Sequence, residues 1–194
     1  MIDFIWTVKG LLRELALADS HRRVCSNIST AMSDSSRAQG LVRYHDFFEI
    51  TAIAHLSAMT TCIARLIDRD SRTQSLYWLV SYVDQHPNEF SKDLLTTDLA
   101  SFLGSVEPQF RKIRKLRNKW YAHRERMTPV EERALFQENL LSTPDIEAVL
   151  STLRAIVEKV TKAHLGYDWR WVMIAIDEET DELITAIQRD KGGL

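Results

Sequence analysis

The sequence predicts an all-α protein, a single helical bundle domain of about six to eight helices over residues 1–194. Three observations carry that expectation. Only 6 glycines and 4 prolines interrupt 194 residues, far fewer turn formers than a hairpin-rich chain needs. Apolar residues recur at spacings of three and four, and no segment alternates with period two for long enough to build a sheet. Pro108, Pro129 and Pro144 stand where helices open rather than inside them.

The first helix is expected over Ile2 to about Ala18, from Ile5, Trp6, Leu12 and Leu15, with Val24, Ile28 and Met32 continuing the period until Ser33-Asp34-Ser35-Ser36 breaks it. A longer helix is expected from about Gly40 to Ile67. Phe48, Ala52, Leu56, Ile63 and Ile67 form its stripe and Met59, Cys62 and Leu66 widen it, which suggests a central core position. The polar run Asp68-Arg69-Asp70-Ser71-Arg72-Thr73-Gln74 follows. Ser71 and Gln74 have capping-box spacing for a helix from Thr73 to about Gln85, which Pro87 ends. Ser91 can cap a short helix through Leu103, stopped by Gly104. The next helix starts near Glu107 and Pro108 and must end at about Arg126, because Thr128-Pro129-Val130-Glu131 combines an N-cap, a first-turn proline and a capping-box acid. Thr143-Pro144 opens a helix carrying Ile146, Val149, Leu150, Leu153, Ile156, Val157 and Val160, closed by Gly166. Tyr167 to Gln188 reads as a last helix, with Tyr167, Trp169 and Trp171 as a packing or dimer surface. No repeat, low-complexity tract or Gly/Ser linker divides the chain.

The cysteine count bounds the compartment. Cys25 and Cys62 can supply neither a disulfide framework nor a four-thiolate metal site, and they read as buried free thiols of a reducing cytosol. Lys9, Arg13 and Glu14 interrupt the N-terminal stretch early, which argues against an export signal. Phe47 to Ile67 still carries Glu49, Arg65 and His55, too polar a set for a bilayer span, so no membrane association is expected.

The net charge of −2 hides a segregation. Between Pro108 and Arg126, eight lysines and arginines face the single acid Glu125, a local +7 that leaves −9 for the rest of the chain. Within this segment Phe110, Ile113, Leu116 and Trp120 form one apolar stripe. At 100° per residue, Arg117 and His123 border that stripe on opposite sides, each about 60° from its centre. A permanent cation and a group titrating near neutrality at one seam are the two functions that phosphodiester cleavage requires. A solvated basic face with a capping histidine is the plainer reading of the same spacing.

Arg117-Asn118-Lys119-Trp120-Tyr121-Ala122-His123 resembles the signature of the HEPN superfamily, in which His follows Arg after four to six residues and a polar residue often comes next to the Arg. The Arg-Asn-Lys start with Ala before His resembles its abortive-infection, AbiU-type branch in particular. There, too, a polar Asp-containing stretch like Leu66 to Ser71 precedes the motif helix. The resemblance covers roughly residues 20–165, with the terminal helices packing or dimerising around that core. It implies a cytoplasmic homodimer that cuts RNA without a metal or cofactor, as a toxin or phage-defence effector, with an antitoxin or nucleotidyltransferase as a further partner. Carried over, Arg117 binds the scissile phosphate, His123 is the general acid or base, and Asn118 orients one of them. Attack by the ribose 2′-hydroxyl leaves a 2′,3′-cyclic phosphate. This chain has Arg124 and then Glu125 where related sequences carry an acid soon after the His, so no role transfers there. The alternative is a non-catalytic HEPN-like module that binds RNA, nucleotide or protein in a toxin–antitoxin or defence complex.

From their chemistry alone, Arg114, Lys119 and Arg124 are candidates for flanking phosphates, and Tyr121 for stacking on a base or packing on a neighbouring helix. His45 and Glu49, beside Asp46, and His21 with Cys25 have helical spacing for two metal ligands. Without a third and fourth ligand, ordinary polar pairing accounts for both sets. His55 reads as a satisfied core or interface histidine, and Asp68 and Asp70 as turn caps or loop ion pairs. Phosphate-binding glycine loops, nucleophile-elbow serines and zinc-protease histidine pairs are absent from the sequence, which disfavours the enzyme classes built on them.

Overall fold

A computed structural model describes residues 2–34, 41–70, 72–121, 128–166 and 184–185 of the chain. It is all-α, with no strand among the described residues. Seven α-helices are described: α1 (Ile2–Ser33), α2 (His45–Leu66), α3 (Leu76–Gln85), α4 (Thr96–Ser105), α5 (Glu107–Leu116), α6 (Pro129–Asn139) and α7 (Thr143–Leu165). Short 3₁₀ turns precede α2 at Val42–Tyr44 and follow α3 at Pro87–Glu89, and a π-helical turn over Arg117–Tyr121 extends α5.

The chain divides into two compact units, one comprising Met1–Leu15 and Thr60–Trp171, the other Ala16–Met59 and Val172–Leu194. In the first unit α7 is the hub, packing against α3 and α4. Its buried residues Val149, Leu153, Ile156, Val157 and Val160 are fully enclosed, as their three-and-four spacing requires. Ser142 caps this helix through a reciprocal capping box with Asp145, so the cap stands one residue before the predicted Thr143 and Pro144 takes the second helical position. Gly166 ends it in the left-handed region at φ 74°, a conformation glycine adopts without steric cost. The N-terminal part of α1 brings Phe4, Val8, Leu11 and Leu15 into this core, and Phe4 stacks on Tyr82 at 5.1 Å between centroids. Trp6, expected on the inner stripe, is 65% exposed, because the stripe that closes runs through positions 4, 8, 11 and 15, and Lys9 lies over its ring.

Two further expectations are corrected by local chemistry. The α3 cap is Ser75 rather than Ser71: Ser75 Oγ accepts the Trp78 N–H at 3.4 Å and donates to the Asp68 carbonyl at 2.6 Å, a double role that delays the helix to Leu76. Ser91 does not cap α4, because the helix starts four residues on from the predicted first turn, at Thr96 with Leu95 at its N-cap, while the Ser91 N–H donates to the Ala163 carbonyl at 3.0 Å.

In the second unit Ile28, Ala31, Leu41, Phe48 and Ile184 form a small core. The first helix runs unbroken to Ser33, because the apolar period continues through Ile28 and Met32. The α2 helix is buried on most sides, as predicted, only in its C-terminal half, where Met59, Cys62, Ile63, Ala64 and Leu66 are buried; in its N-terminal half Phe47, Ile50 and Ile53 are exposed, and Phe48 is the residue that enters this core. Val42–Leu66 is long and apolar enough to cross a membrane by length and composition, with 33% of its most apolar window buried. The expected last helix lies outside the described residues, apart from helical Ile184 and Thr185.

Candidate functional site

The basic segment folds as α5 followed by the π turn. Phe110, Ile113 and Leu116 are buried at 0%, 2% and 4%, so the predicted apolar stripe holds this helix in the first unit. At Arg117 the hydrogen-bonding pattern widens to π, and the regular step of an α-helix no longer applies downstream. The projection that set His123 opposite Arg117 assumed an uninterrupted α-helix and therefore stops at Leu116. His123 and Arg124 lie outside the described residues, as do the side chains of Trp120 and Tyr121. A capping box restarts the chain at α6: Glu131 Oε2 accepts the Thr128 N–H at 2.8 Å, and Thr128 Oγ1 accepts the Glu131 N–H at 3.3 Å.

Arg117 is 37% exposed and held from two directions. Its Nε donates to Asn118 Oδ1 at 2.9 Å, and its Nη1 lies 3.6 Å from Asp68 Oδ2. The structure thus brings together two of the predicted site residues, Arg117 and Asn118, and adds Asp68 from the loop after α2. Asp68 is also a turn residue, since its Oδ1 accepts the Asp70 N–H at 3.0 Å. One carboxylate therefore fixes the loop and faces the motif arginine.

The remaining basic side chains divide by partner. Arg114, 24% exposed, is hydrogen-bonded to Glu107, so its charge is directed inward rather than toward a flanking phosphate. Glu107 also takes Arg69 at 3.0 Å, the Tyr77 hydroxyl at 3.1 Å and Arg111 at 3.8 Å. Burial pushes the Glu107 carboxyl up, but hydrogen bonds from Arg114 and Tyr77 and the charges of Arg114 and Arg69 outweigh it, leaving the group below its ordinary range. Lys115 pairs with Glu138 at 2.9 Å. Lys119 and Asn118 are exposed. Three carboxylates from outside the segment, Glu107, Glu138 and Asp68, thus offset part of its +7, and among the described residues Arg111, Arg117 and Lys119 keep exposed or half-exposed side chains at which an anion can arrive.

Sequence reasoning missed Glu107 as a hub, although an acid at the first position of a basic helix, four and seven residues before Arg111 and Arg114, is a readable signal. His45, Asp46 and Glu49 present ligand atoms within 4.8 Å of one another, all exposed. His21 pairs not with Cys25 but with His55, Nδ1 to Nδ1 at 2.9 Å, so His55 is satisfied as expected. Cys25 is half-buried and Cys62 buried, and burial pushes both thiols up to about 11.

The model of the family HEPN_AbiU2, described as AbiU2, matches residues 1–183. No curated protein and no solved structure matches the chain.

Proposed function

The chain belongs to the AbiU2 family, an abortive-infection domain of HEPN type, and from that membership we propose that it is a metal-independent endoribonuclease. The observation that carries the reading is the two-sided hold on Arg117, which fixes a half-exposed guanidinium at the motif helix by Asn118 Oδ1 and Asp68 Oδ2. Among the described residues the partners of this guanidinium are at Nε and Nη1, so the Nη2 edge is the one we assign to a phosphate oxygen, a role for which a guanidinium is well suited.

Cleavage needs a base for the ribose 2′-hydroxyl and an acid for the leaving 5′-oxygen. The 2′-oxygen forms a bond to phosphorus as the bond from phosphorus to the 5′-oxygen breaks, giving a 2′,3′-cyclic phosphate and a 5′-hydroxyl. His123 carries one of these proton transfers and Arg117 neutralises the charge that grows on the phosphate. Asn118 acts by orienting Arg117. Lys119 and Arg124 serve flanking phosphates and Tyr121 a base, whereas Arg114 serves the Glu107 cluster. Because one motif supplies one arginine and one histidine, a homodimer in the cytoplasm, checked by an antitoxin or nucleotidyltransferase, completes the proposal.

The test is incubation of wild type, Arg117→Ala and His123→Ala with total RNA and a labelled single strand, with and without EDTA. EDTA-resistant cleavage by wild type alone, leaving 2′,3′-cyclic ends, is the expected result. Equal cleavage by all three proteins overturns the proposal. Salt-sensitive RNA binding without product leaves the family's binding-module role in its place.

A further inference from the structure

A cavity of about 590 Å³ opens within the first unit between α3, α4 and the start of α5, a size that accommodates a small ligand. Tyr77, Val80, Ser81 and Asp84 line it from α3 at spacings of three, one and three, which is one helix face. Thr96, Thr97, Ala100 and Leu103 supply the opposite wall from α4. Arg69 and Glu107 also line it, with the Arg69 guanidinium 5.0 Å over the Tyr77 ring. The lining thus mixes apolar side chains, Val80, Ala100 and Leu103, with hydroxyls and charged groups, a combination that suits a small polar heterocycle.

The two carboxylates of its lining differ. Glu107 is occupied by arginines and the Tyr77 hydroxyl. Asp84 accepts from Thr96 Oγ1 at 3.3 Å through Oδ1, and a carboxylate can accept more hydrogen bonds than that one. An acceptor-only group on the wall of such a cavity selects a ring with adjacent N–H donors. Guanine presents two such donors, N1–H and the 2-amino group, on an edge that single-stranded RNA leaves accessible. Position supports the same occupant: Arg69 follows Asp68 directly, and Asp68 Oδ2 lies 3.6 Å from Arg117 Nη1.

The geometry points to this cavity as a guanine-binding subsite, with Asp84 reading the base edge, that seats the base of a nucleotide neighbouring the scissile phosphate. The inference rests on the ribonuclease reading for its place in the reaction, but base binding itself is separable from cleavage. The experiment titrates the full chain, Asp84→Asn and Ala100→Leu with the 5′-monophosphates of guanosine, adenosine, cytidine and uridine, by calorimetry, and maps the cleavage sites on a long RNA. Guanosine monophosphate is expected to bind at least about 10-fold more tightly than the others, in line with the discrimination of one bidentate base contact. Asp84→Asn abolishes that preference, and Ala100→Leu, which fills the cavity from an exposed helix position, weakens all binding. Equal affinity for the four nucleotides, or guanosine binding untouched by Ala100→Leu, overturns the subsite. RNA cleavage with no guanine preference does so while leaving the ribonuclease reading intact. Guanosine binding by a protein that cuts no RNA supports the subsite and removes the ribonuclease reading instead.

Discussion

Replacing Asp68 by asparagine keeps the Oδ1 that accepts the Asp70 N–H at 3.0 Å and removes only the charge facing Arg117 Nη1 at 3.6 Å. Two unit charges at that separation attract by about 1.2 kcal/mol in water and about 4.6 kcal/mol at the effective dielectric of a protein surface. With Arg117 37% and Asp68 29% exposed, solvent screens the pair toward the range of surface ion pairs. Such pairs contribute below about 1 kcal/mol, so Asp68→Asn lowers Tm by no more than about 4 °C in a chain of this size. The effect on cleavage follows from the freedom returned to one long side chain. Holding it is worth about 0.5 to 1.5 kcal/mol, so cleavage falls about 2- to 13-fold. The assay is initial-rate cleavage of a short labelled RNA alongside thermal unfolding. A positioning role lowers kcat more than it raises KM, and Asp68→Glu recovers part of the rate. Undiminished cleavage, or a Tm loss above about 6 °C, refutes the reasoning, the second because the charge then serves the fold.

Three more outcomes are expected. Ser142→Ala removes the α7 cap and costs about 1 kcal/mol, read as a Tm about 2 to 4 °C lower, and an unchanged Tm contradicts the capping box. Phe110→Ala empties a site that is 0% exposed beneath the motif helix and costs about 3 to 5 kcal/mol in denaturant unfolding; a loss under 1 kcal/mol refutes that burial. Stability is expected to drop as pH falls below about 6.5, because burial and the His55 charge hold His21 below its ordinary value, and burial does the same to His55. The unfolded chain then binds more protons than the folded one, so the loss starts at the unfolded value and levels off once the folded values are passed. Glu107 and Glu138, both held low, contribute to pH dependence only in more acid solution. Thermal unfolding from pH 7.5 to 5.0 is expected to show a shallower fall for the His21→Gln, His55→Gln double variant, and parallel curves exclude the pair as the cause.

Much of the fold was legible because helix ends are written locally. The capping box at Thr128 and Glu131 and the left-handed Gly166 use only residues within one turn, and the α7 core positions follow from spacing alone. What stayed hidden depends on partners distant in sequence. Ser75 takes the cap because the Asp68 carbonyl offers its hydroxyl an acceptor, and Trp6 faces outward because the core closes on Phe4 and Val8. The candidate site divides in the same way. Arg117 and Asn118 were readable from their motif, whereas the link from Arg117 to Asp68 spans 49 positions and leaves no periodic trace. Its loop could be seen to be polar, but not which cation it faces. The Glu107 cluster joins the loop after α2, the first turn of α3 and both ends of α5, so no single window of sequence contains it.

The π turn at Arg117–Tyr121 bears on how this stretch can change length. An i to i+5 turn holds one residue more than the α-helical turn it replaces. Loss of a residue can be met by tightening that turn, and gain of one by widening it, while Phe110, Ile113 and Leu116 keep their seats upstream. The distance in sequence between Arg117 and His123 is thereby uncoupled from the packing that anchors the arginine. Here that slack begins at Arg117 itself, the residue that Asn118 and Asp68 hold.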